Sequence, residues 1–440
     1  MASTPSATTD AALAELAELI RIESVSSDGA HPAELREAAE WITRLIGGGE
    51  ITEAHGNPVV DGLIEASTPG APTVIAYGHY DVQAPGAPEL WTTPAFEPDL
   101  RDGYIYGRGA CDDKGNFYAL LRAALDLAEA GELGVNVRVL ADGEEEIGGH
   151  SVIHHLAGID GEFAAAIIFD GSMVNAEQPA FTTGLRGLVG AQVRVRTGAR
   201  ELHSGIYGGV AANPVHALHR ILAALVDLPE AFSEGIAPVT EAERSGWSTL
   251  VPGAEELERG GVTPSDPAAA AEFYDRTWAR PSLTVHSIAS GDPTLHKTSI
   301  QTEARASLSI RLAPGQDAAA LSPVLERTLR DACPAGAELE LEMWPPGEPA
   351  WMDPAEPTLQ AAFAAVERAT GVRPLAVRSG GSIPVAAAFT ARGIPTLLTG
   401  FGVDEDNIHS PNERLEVRRF EWALRSAREI YLALAALPAG

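Results

Sequence analysis

The sequence is poor in cysteine. Cys111 and Cys333 are the only cysteines in 440 residues, which is too few for a disulfide framework or for a metal cluster built from thiolates. Proteins without disulfides are typical of reducing compartments. We therefore expect a cytoplasmic protein.

Long apolar runs and positive charge are also scarce. No apolar run approaches membrane-spanning length, and the N-terminal segment 1–6 lacks the basic region and the apolar core of a signal peptide. The chain has 31 basic residues against 61 acidic ones, and its net charge is -30. Such a surface repels nucleic-acid phosphates and anionic lipid. We expect neither a nucleic-acid partner nor a membrane partner, and we interpret the charge as a solvated acidic surface.

Apolar residues make up 45% of the chain, and its length exceeds what one hydrophobic core usually supports. Strand and helix patterns alternate through residues 1–186, which predicts a mostly parallel sheet with helices on both faces. Residues 187–350 have the pattern of an α+β sandwich, apart from an irregular insertion at 228–280. The first pattern resumes over 351–440. The sequence therefore predicts an α/β domain interrupted by a second, inserted domain.

A histidine and a carboxylate lie near the end of the apolar run Val74–Val82. The run is typical of a buried strand, and the period of two in a strand places His79 and Asp81 on the same face. A histidine that binds a metal needs a nearby carboxylate or carbonyl to orient its ring. The pair suits a metal site, but a strand-end pair without a function has the same pattern.

Two adjacent aspartates follow a glycine-rich segment and precede a predicted helix. The segment does not fit a phosphate-binding loop, because that loop needs Gly-Lys followed by Ser or Thr, whereas here Lys114 precedes Gly115. Asp112 and Asp113 could be helix caps. As a metal ligand, Asp112 would supply a carboxylate that is able to bridge two cations.

Three successive glutamates, Glu144–Glu146, follow a predicted buried strand, where clustered charge is costly unless a cation compensates it. In extended backbone, neighbouring side chains point to opposite sides, so one glutamate could bind metal while the next faces an attacking water. His150 and His154 have the spacing of ligands on a helix, but they lack the intervening glutamate of the HExxH motif, and we do not assign them. Asp170 ends the next predicted strand.

The motifs together resemble the co-catalytic zinc or manganese metallopeptidases, a family that includes carnosine dipeptidases, aminoacylase, the glutamate carboxypeptidases and succinyl-diaminopimelate desuccinylase. They span residues 79–413 in the family's order and are Gly-His-Tyr-Asp-Val, Gly-Arg-Gly-Ala-Cys-Asp-Asp-Lys-Gly, Gly-Glu-Glu-Glu-Ile-Gly, Asp170, Leu-His-Ser-Gly-Ile-Tyr-Gly-Gly, Gly-Gly-Ser-Ile-Pro and His-Ser-Pro-Asn-Glu. The versions with Leu-His-Ser-Gly and Gly-Gly-Ser-Ile-Pro are most similar to the carnosinase-type dipeptidase branch. The resemblance implies that the α/β domain is catalytic and that the inserted domain is a lid and a dimerisation domain.

The resemblance implies two divalent metal ions per protomer, with zinc as the first choice and manganese or cobalt as alternatives. Asp112 would bridge the two metals. The other implied ligands are His79 and Asp170 at one metal, and Glu146 and His409 at the other. Glu145 would be the general base, and Asp81 would be the partner that orients His79.

The resemblance also implies that His203 reaches the active site of the other protomer in a homodimer formed through the inserted domain. The implied substrate contacts are Thr298, Arg311, Ser382 and the adjacent Gly381. A planar guanidinium such as that of Arg311 can bind a C-terminal carboxylate with two parallel hydrogen bonds. A structural salt bridge is the alternative for this residue.

We therefore predict a hydrolase that cleaves the amide bond of dipeptides or short peptides with a free C-terminal carboxylate. In the implied mechanism the metals activate a water, and Glu145 takes its proton and delivers it to the leaving amine. An N-acyl amino acid deacylase on the same scaffold is the alternative, because the two reactions share their chemistry. A binding or dimerisation module without catalysis is a third hypothesis, which the presence of every implied ligand opposes.

Overall fold

The chain forms two compact units in the computed structural model, which describes residues 7–27 and 29–437. The first unit comprises the chain up to Thr183, Met352–Val377 and the chain from Pro384 onward. The second unit comprises Gly184–Trp351 and Arg378–Ile383. The domain boundaries at 186/187 and 350/351 stay a prediction. Segment 1–6, which we expect not to be a signal peptide, lies outside the described residues.

Strands and helices alternate before the chain enters the second unit. Its elements there are α1 (Ala7–Ile20), α2 (Pro32–Leu45), β1 (Glu50–Thr52), β2 (Val59–Ile64), β3 (Thr73–His79), β4 (Asp99–Arg101), β5 (Tyr104–Tyr106), α3 (Lys114–Glu129), β6 (Asn136–Asp142), α4 (His150–Ala157), β7 (Ala165–Ile168) and β8 (Ala180–Leu185). Short 3-10 helices lie at Pro88–Leu90 and Glu145–Ile147.

Further strands, which belong to more than one sheet, then follow with helices between them. These elements are β9 (Gly187–Arg196), β10 (Leu202–His203), α5 (Ser204–Tyr207), α6 (Pro214–Ala223), α7 (Glu241–Trp247), α8 (Gly253–Arg259), α9 (Phe273–Trp278), β11 (Ser282–Ala289), β12 (Ser299–Ile300), β13 (Glu303–Leu312), α10 (Ala318–Asp331), β14 (Glu338–Met343) and β15 (Ala350–Trp351), with a 3-10 helix at Glu230–Ser233. The remaining elements are α11 (Pro357–Thr370), β16 (Leu375–Ser379), α12 (Pro384–Ala391), β17 (Thr396–Leu398), β18 (Arg414–Glu416) and α13 (Val417–Ala435), with a 3-10 helix at Asp404–Asp406. Within the described ranges, no helix combines the length and the apolar character that crossing a bilayer requires.

The first unit is built around a six-stranded sheet in the order β1-β2-β6-β3-β7-β17. β3 pairs in parallel with both β6 and β7, and β17 pairs in parallel with β7. β1 and β2 add antiparallel pairs at one side of this sheet. The predicted mostly parallel sheet is confirmed.

Helix α3 packs closely on the central strand β3. The close approach depends on Gly78, because a Cβ atom at this position would lie 2.3 Å from the ring of Phe117. Six of the seven residues of β3 are buried, and the apolar run in the middle of the strand supplies the core contacts. This packing fixes the end of β3, where His79 lies.

The second unit contains a four-stranded antiparallel sheet in the order β11-β13-β9-β14. Helices α6 and α10 pack on this sheet. Alternate residues of its strands form the core, and they include Val189, Ala191, Val193 and Val195 of β9 and Ala304, Ala306, Leu308 and Ile310 of β13. The alternation follows from the period of two in a strand with one face buried.

Candidate metal centre

Three parallel strands bring the predicted ligands of the first unit to one edge of the sheet. β3 lies between β6 and β7, so the carboxyl ends of all three face the same way. His79 ends β3, Asp142 ends β6, and Asp170 follows shortly after β7. In open α/β sheets this edge is the usual position of a binding site.

Asp112 lies between two histidines. His79 Nε2 is 3.0 Å from Asp112 Oδ1 and 3.8 Å from Asp170 Oδ1. His409 Nε2 is 2.9 Å from Asp112 Oδ2 and 3.1 Å from Glu146 Oε2. Among the described residues, these are the two groups of possible ligands whose donor atoms all lie within 4.8 Å of one another, and they share Asp112.

The donor atoms fit a pair of divalent cations. Imidazole nitrogen and carboxylate oxygen are ordinary zinc ligands, and carboxylates also suit manganese. The two oxygens of Asp112 face different histidines, which is the arrangement that a bridging carboxylate needs. The structure brings together all five predicted ligands, and their role as ligands stays a prediction.

The protein's own groups leave this site rich in negative charge. Burial raises the pKa of Asp170 above its ordinary value, although a hydrogen bond with His79 opposes the shift. Burial and the neighbouring charge of Asp170 raise the pKa of Glu145 to about 8. Burial also acts to raise the pKa of Asp112, but hydrogen bonds with His409 and His79 outweigh it and hold that pKa well below its ordinary value. Cations would supply the missing positive charge.

Asp81 is fully buried and holds the backbone of two glutamates. Its Oδ1 accepts the N–H of Glu145 at 3.1 Å, and its Oδ2 accepts the N–H of Glu146 at 3.1 Å. The hydroxyl of Ser26 donates to the same Oδ2 at 2.5 Å. The ring of His79 is less dependent on this carboxylate, because His79 Nδ1 is 3.0 Å from the carbonyl oxygen of Asp81 and 3.5 Å from its Oδ1. Asp81 therefore fixes the position of the predicted base and of a predicted ligand together.

Glu145 and Glu146 lie in the 3-10 helix Glu145–Ile147, and not in the extended backbone that we expected from the sequence. The turn forms because both N–H groups converge on one carboxylate, and because Gly148 and Gly149 have φ angles of 117° and 61°. Glu146 belongs to one of the two ligand groups, and among the described residues Glu145 belongs to neither. The two neighbours therefore occupy different positions at the site, as a ligand and a base must.

Glu413 is a buried brace behind Asp112. Its Oε1 accepts the N–H groups of Cys111 at 2.9 Å and of Asp112 at 3.0 Å. Its Oε2 accepts the N–H of Gly109 at 2.9 Å and a guanidinium N–H of Arg108 at 2.7 Å. A carboxylate that accepts several N–H groups is a strong local constraint. Glu413 thus fixes the loop that carries the predicted bridging ligand.

Two of the predicted substrate-site residues lie side by side in the second unit. His203 ends β10 and pairs with Ser299 of β12, and its Nδ1 accepts the N–H of Gly205 at 3.0 Å. The N–H of Ser204 donates to the carbonyl oxygen of Thr298 at 3.1 Å. His203 is exposed. The structure therefore groups His203 with Thr298, and their roles stay predictions.

Arg311, Gly381 and Ser382 form another group in the second unit. Arg311 of β13 lies opposite Ser282 of β11, and Ser282 Oγ accepts a guanidinium N–H of Arg186. The backbone N–H of Arg186 donates to the carbonyl oxygen of Gly381 at 3.0 Å. Gly381 and Ser382 are exposed. Arg311 and Gly381 are therefore both connected to Arg186, Ser382 is the next residue after Gly381, and contact with a substrate stays a prediction.

Ser26, Arg186 and Glu413 are functional candidates that we did not predict from the sequence. Glu413 ends the motif His-Ser-Pro-Asn-Glu and Arg186 ends the first predicted domain, and a charged residue among turn-forming residues is the signal that both positions offer. Ser26 gave none. The histidine pair that we did not assign takes part in neither ligand group of the described chain, and His154 stacks on His55 with ring centroids 4.9 Å apart.

Comparisons with known proteins show which proteins this chain is similar to. The model of peptidase family M20/M25/M40 matches residues 75–436. A cysteinylglycine-S-conjugate dipeptidase from Corynebacterium striatum is 31% identical over 439 residues, which cover 95% of this chain and 94% of that protein. The solved structure of the dipeptidase Dug1p from Saccharomyces cerevisiae has a TM-score of 0.70 at 26% identity and covers 98% of this chain and 97% of its own. Human carnosine dipeptidase 1 has a TM-score of 0.69 at 25% identity, with the same 98% and 97% covered.

Proposed function

The chain belongs to peptidase family M20/M25/M40, and from this premise we propose that it hydrolyses dipeptides with a free C-terminal carboxylate. It is a metallopeptidase, and the relatives described above are dipeptidases. One observation carries the proposal, namely the two groups of metal-ligating side chains that share Asp112 and lie beside Glu145. A binding module without catalysis has no need for this arrangement.

His79, Asp112 and Asp170 would hold one divalent cation, and Asp112, Glu146 and His409 would hold the other. Zinc is the first choice, with manganese or cobalt as alternatives. Bound there, the cations would lower the pKa of a water molecule towards neutrality and would polarise the scissile carbonyl. The tight clustering of carboxylates supports this proposal, because such charge is costly without cations.

Glu145 is the proposed general base. It takes a proton from the attacking water and later delivers that proton to the leaving amine. Asp81 holds the backbone N–H groups of both Glu145 and Glu146 on one carboxylate, so the base keeps a fixed position relative to a ligand. Ser26 in turn holds the carboxylate of Asp81. Geometry fixed in this way before the reaction lowers the entropic cost of catalysis.

The second unit supplies the proposed substrate contacts. Arg311 would bind the C-terminal carboxylate, while Thr298, Gly381 and Ser382 would contact the rest of the substrate. His203 would stabilise the oxyanion from the other protomer of a homodimer formed through the inserted domain. A cytoplasmic location remains part of the proposal.

A substrate panel tests the proposed function. Metal-depleted protein is supplied separately with zinc, manganese and cobalt, and is then given carnosine, cysteinylglycine, their C-terminal amides and a set of N-acetyl amino acids. We expect a bound stoichiometry near two metals per protomer, rapid hydrolysis of the free dipeptides and slow hydrolysis of the amides. Preference for the N-acetyl amino acids would favour a deacylase. Two bound metals without turnover of any of these compounds would contradict the proposal.

A further inference from the structure

Arginines of the second unit that are partly or fully buried have carboxylate partners, with two exceptions. Four such residues pair with an acidic side chain, and these are Arg194 with Glu303, Arg196 with Glu340, Arg276 with Asp266 and Arg378 with Glu243. Within residues 7–27 and 29–437, no carboxylate lies within ion-pair distance of Arg186 or Arg311. The chain has 61 acidic residues to draw on, so the missing partner is a specific feature of this place.

Arg186 is buried with only 5% of its surface exposed, and its side-chain partners are neutral. One terminal nitrogen donates to the carbonyl oxygen of Thr277 at 2.8 Å, and the other donates to Ser282 Oγ. Its Nε atom is buried and has no hydrogen-bond partner in the described protein. The guanidinium is therefore held firmly in place, yet its charge is not neutralised and one donor is unused.

Arg311 lies on the same side of the sheet as the group that holds Arg186. Ser282 and Arg311 are directly opposite in the antiparallel pair of β11 and β13, and side chains that are directly opposite project from the same face. Because Ser282 Oγ also accepts from Arg186, the two guanidinium groups are close together. Burial and the charge of Arg311 lower the pKa of Arg186 to about 10.

The glycine-rich segment 380–382 borders Arg186. The backbone N–H of Arg186 donates to Gly381 O at 3.0 Å, and a Cβ atom at Gly380 would lie 3.3 Å from Thr277 O. Thr277 O is also an acceptor for Arg186. The segment that we propose to contact substrate is thus built around Arg186.

We propose that Arg186 acts together with Arg311 in binding the C-terminal carboxylate of the substrate, and that Arg186 is a specificity-determining residue. This inference rests on the proposed dipeptidase function and adds a second arginine to it. A carboxylate bound by Arg311 would lie close to the buried guanidinium of Arg186, whose positive charge none of the described carboxylates pairs with. It would also compensate two neighbouring cations, one of them buried, whose charges are otherwise costly.

The test compares free dipeptides with their amides. Arg186→Gln should lower kcat/KM for carnosine about 10- to 100-fold, because a buried positive charge close to the bound carboxylate is lost. The same variant should leave kcat/KM for carnosine amide within about threefold of the wild-type value, because the amide has no carboxylate to bind. The ratio of kcat/KM for carnosine to kcat/KM for carnosine amide should therefore decrease strongly. Arg194→Gln, an arginine of the same unit that has its own glutamate partner, should leave the ratio unchanged.

An unchanged acid-to-amide ratio in Arg186→Gln would overturn the proposal, since a purely structural arginine lowers both activities alike. If Arg186→Gln does not fold, Arg186→Lys decides, because lysine keeps the charge but loses the planar fork. An intermediate ratio is then expected, and a wild-type ratio refutes the inference. If wild-type protein cleaves neither dipeptide, the proposed function fails, and calorimetric titration with carnosine and its amide tests the arginine pair alone. Tighter binding of the free acid that disappears in Arg186→Gln supports the pair, and equal binding overturns it.

Discussion

Replacing Asp81 with asparagine tests how this site positions its base. The buried carboxylate accepts the N–H of Glu145 on Oδ1 and the N–H of Glu146 on Oδ2, each at 3.1 Å. Asparagine has the same size but has one oxygen and one NH2 group. Whichever way its amide is turned, one of these two N–H groups faces another donor and loses its acceptor.

The loss of one hydrogen bond sets the expected decrease in kcat/KM. A hydrogen bond to a charged group contributes about 1.5–3 kcal/mol, and about 1.4 kcal/mol corresponds to a factor of ten in rate. If this free energy is lost from the stabilisation of the transition state, kcat/KM should decrease about 10- to 150-fold. Loss of the hydrogen bond from the Glu145 N–H should lower kcat and leave the metal content unchanged. Loss of the hydrogen bond from the Glu146 N–H should also lower the affinity for metal.

Steady-state kinetics with carnosine, metal analysis and thermal unfolding together provide the assay. Ser26→Ala is the matched control, because it removes a single hydroxyl donor at 2.5 Å from Asp81 Oδ2 and leaves both backbone contacts in place. We expect Ser26→Ala to cost less than about tenfold in kcat/KM. Activity of Asp81→Asn near that of the wild type, with the fold and the metals intact, would refute the reasoning. A larger loss in Ser26→Ala than in Asp81→Asn would do the same.

Other expectations concern the base, the dimer and pH. Glu145→Gln should lower turnover by about a hundredfold or more with metal content unchanged, and loss of metal would mean that the base and the ligand Glu146 are exchanged. After complete subunit exchange between Glu145→Gln and His203→Ala homodimers, half of the dimers are mixed. Each mixed dimer has one working site if His203 acts across the dimer, so the mixture should recover roughly a quarter of wild-type activity, and none if His203 acts within its own chain. Burial raises the pKa of Glu243, but hydrogen bonds from Arg378 outweigh it and hold that pKa below its ordinary value. The stabilisation of the folded state by the Glu243–Arg378 pair is therefore full above about pH 4.5, and it is lost as the pH falls through the lowered pKa of Glu243. Glu243→Gln should cost about 3–5 kcal/mol at pH 7 and should flatten the acid limb of the unfolding curve, and an unaltered acid limb would contradict this.

Much of the first unit follows from local sequence. The run before His79 is apolar and bounded by turn residues, so the sequence predicts the strand over 74–82, and the structure forms it over Thr73–His79. Asp170 follows a short apolar strand in the same way. Because parallel strands share their carboxyl edge, these positions also predict which side chains meet. Local patterns suffice where the chemistry lies at the end of a strand.

The parts that could not be predicted depend on contacts between distant segments. Ser26 reaches Asp81 across 55 positions, and Glu413 reaches the loop before Asp112 across about 300. Neither partner has a local periodicity that reveals the contact. The conformation of Glu145–Ile147 also depends on the distant acceptor Asp81, which explains why extended backbone was the wrong expectation.

The brace formed by Glu413 has a consequence for the growing polypeptide. Ribosomes make the chain from its amino end, so the loop 109–112 is synthesised long before Glu413, with the whole second unit between them. Until Glu413 is added, that loop lacks the acceptor of three of its N–H groups, and the same late turn brings His409. We therefore expect nascent chains to capture metal poorly and to cleave nothing. A cell's small peptides would be exposed to this hydrolase only after residues 409–413 have been added to the chain.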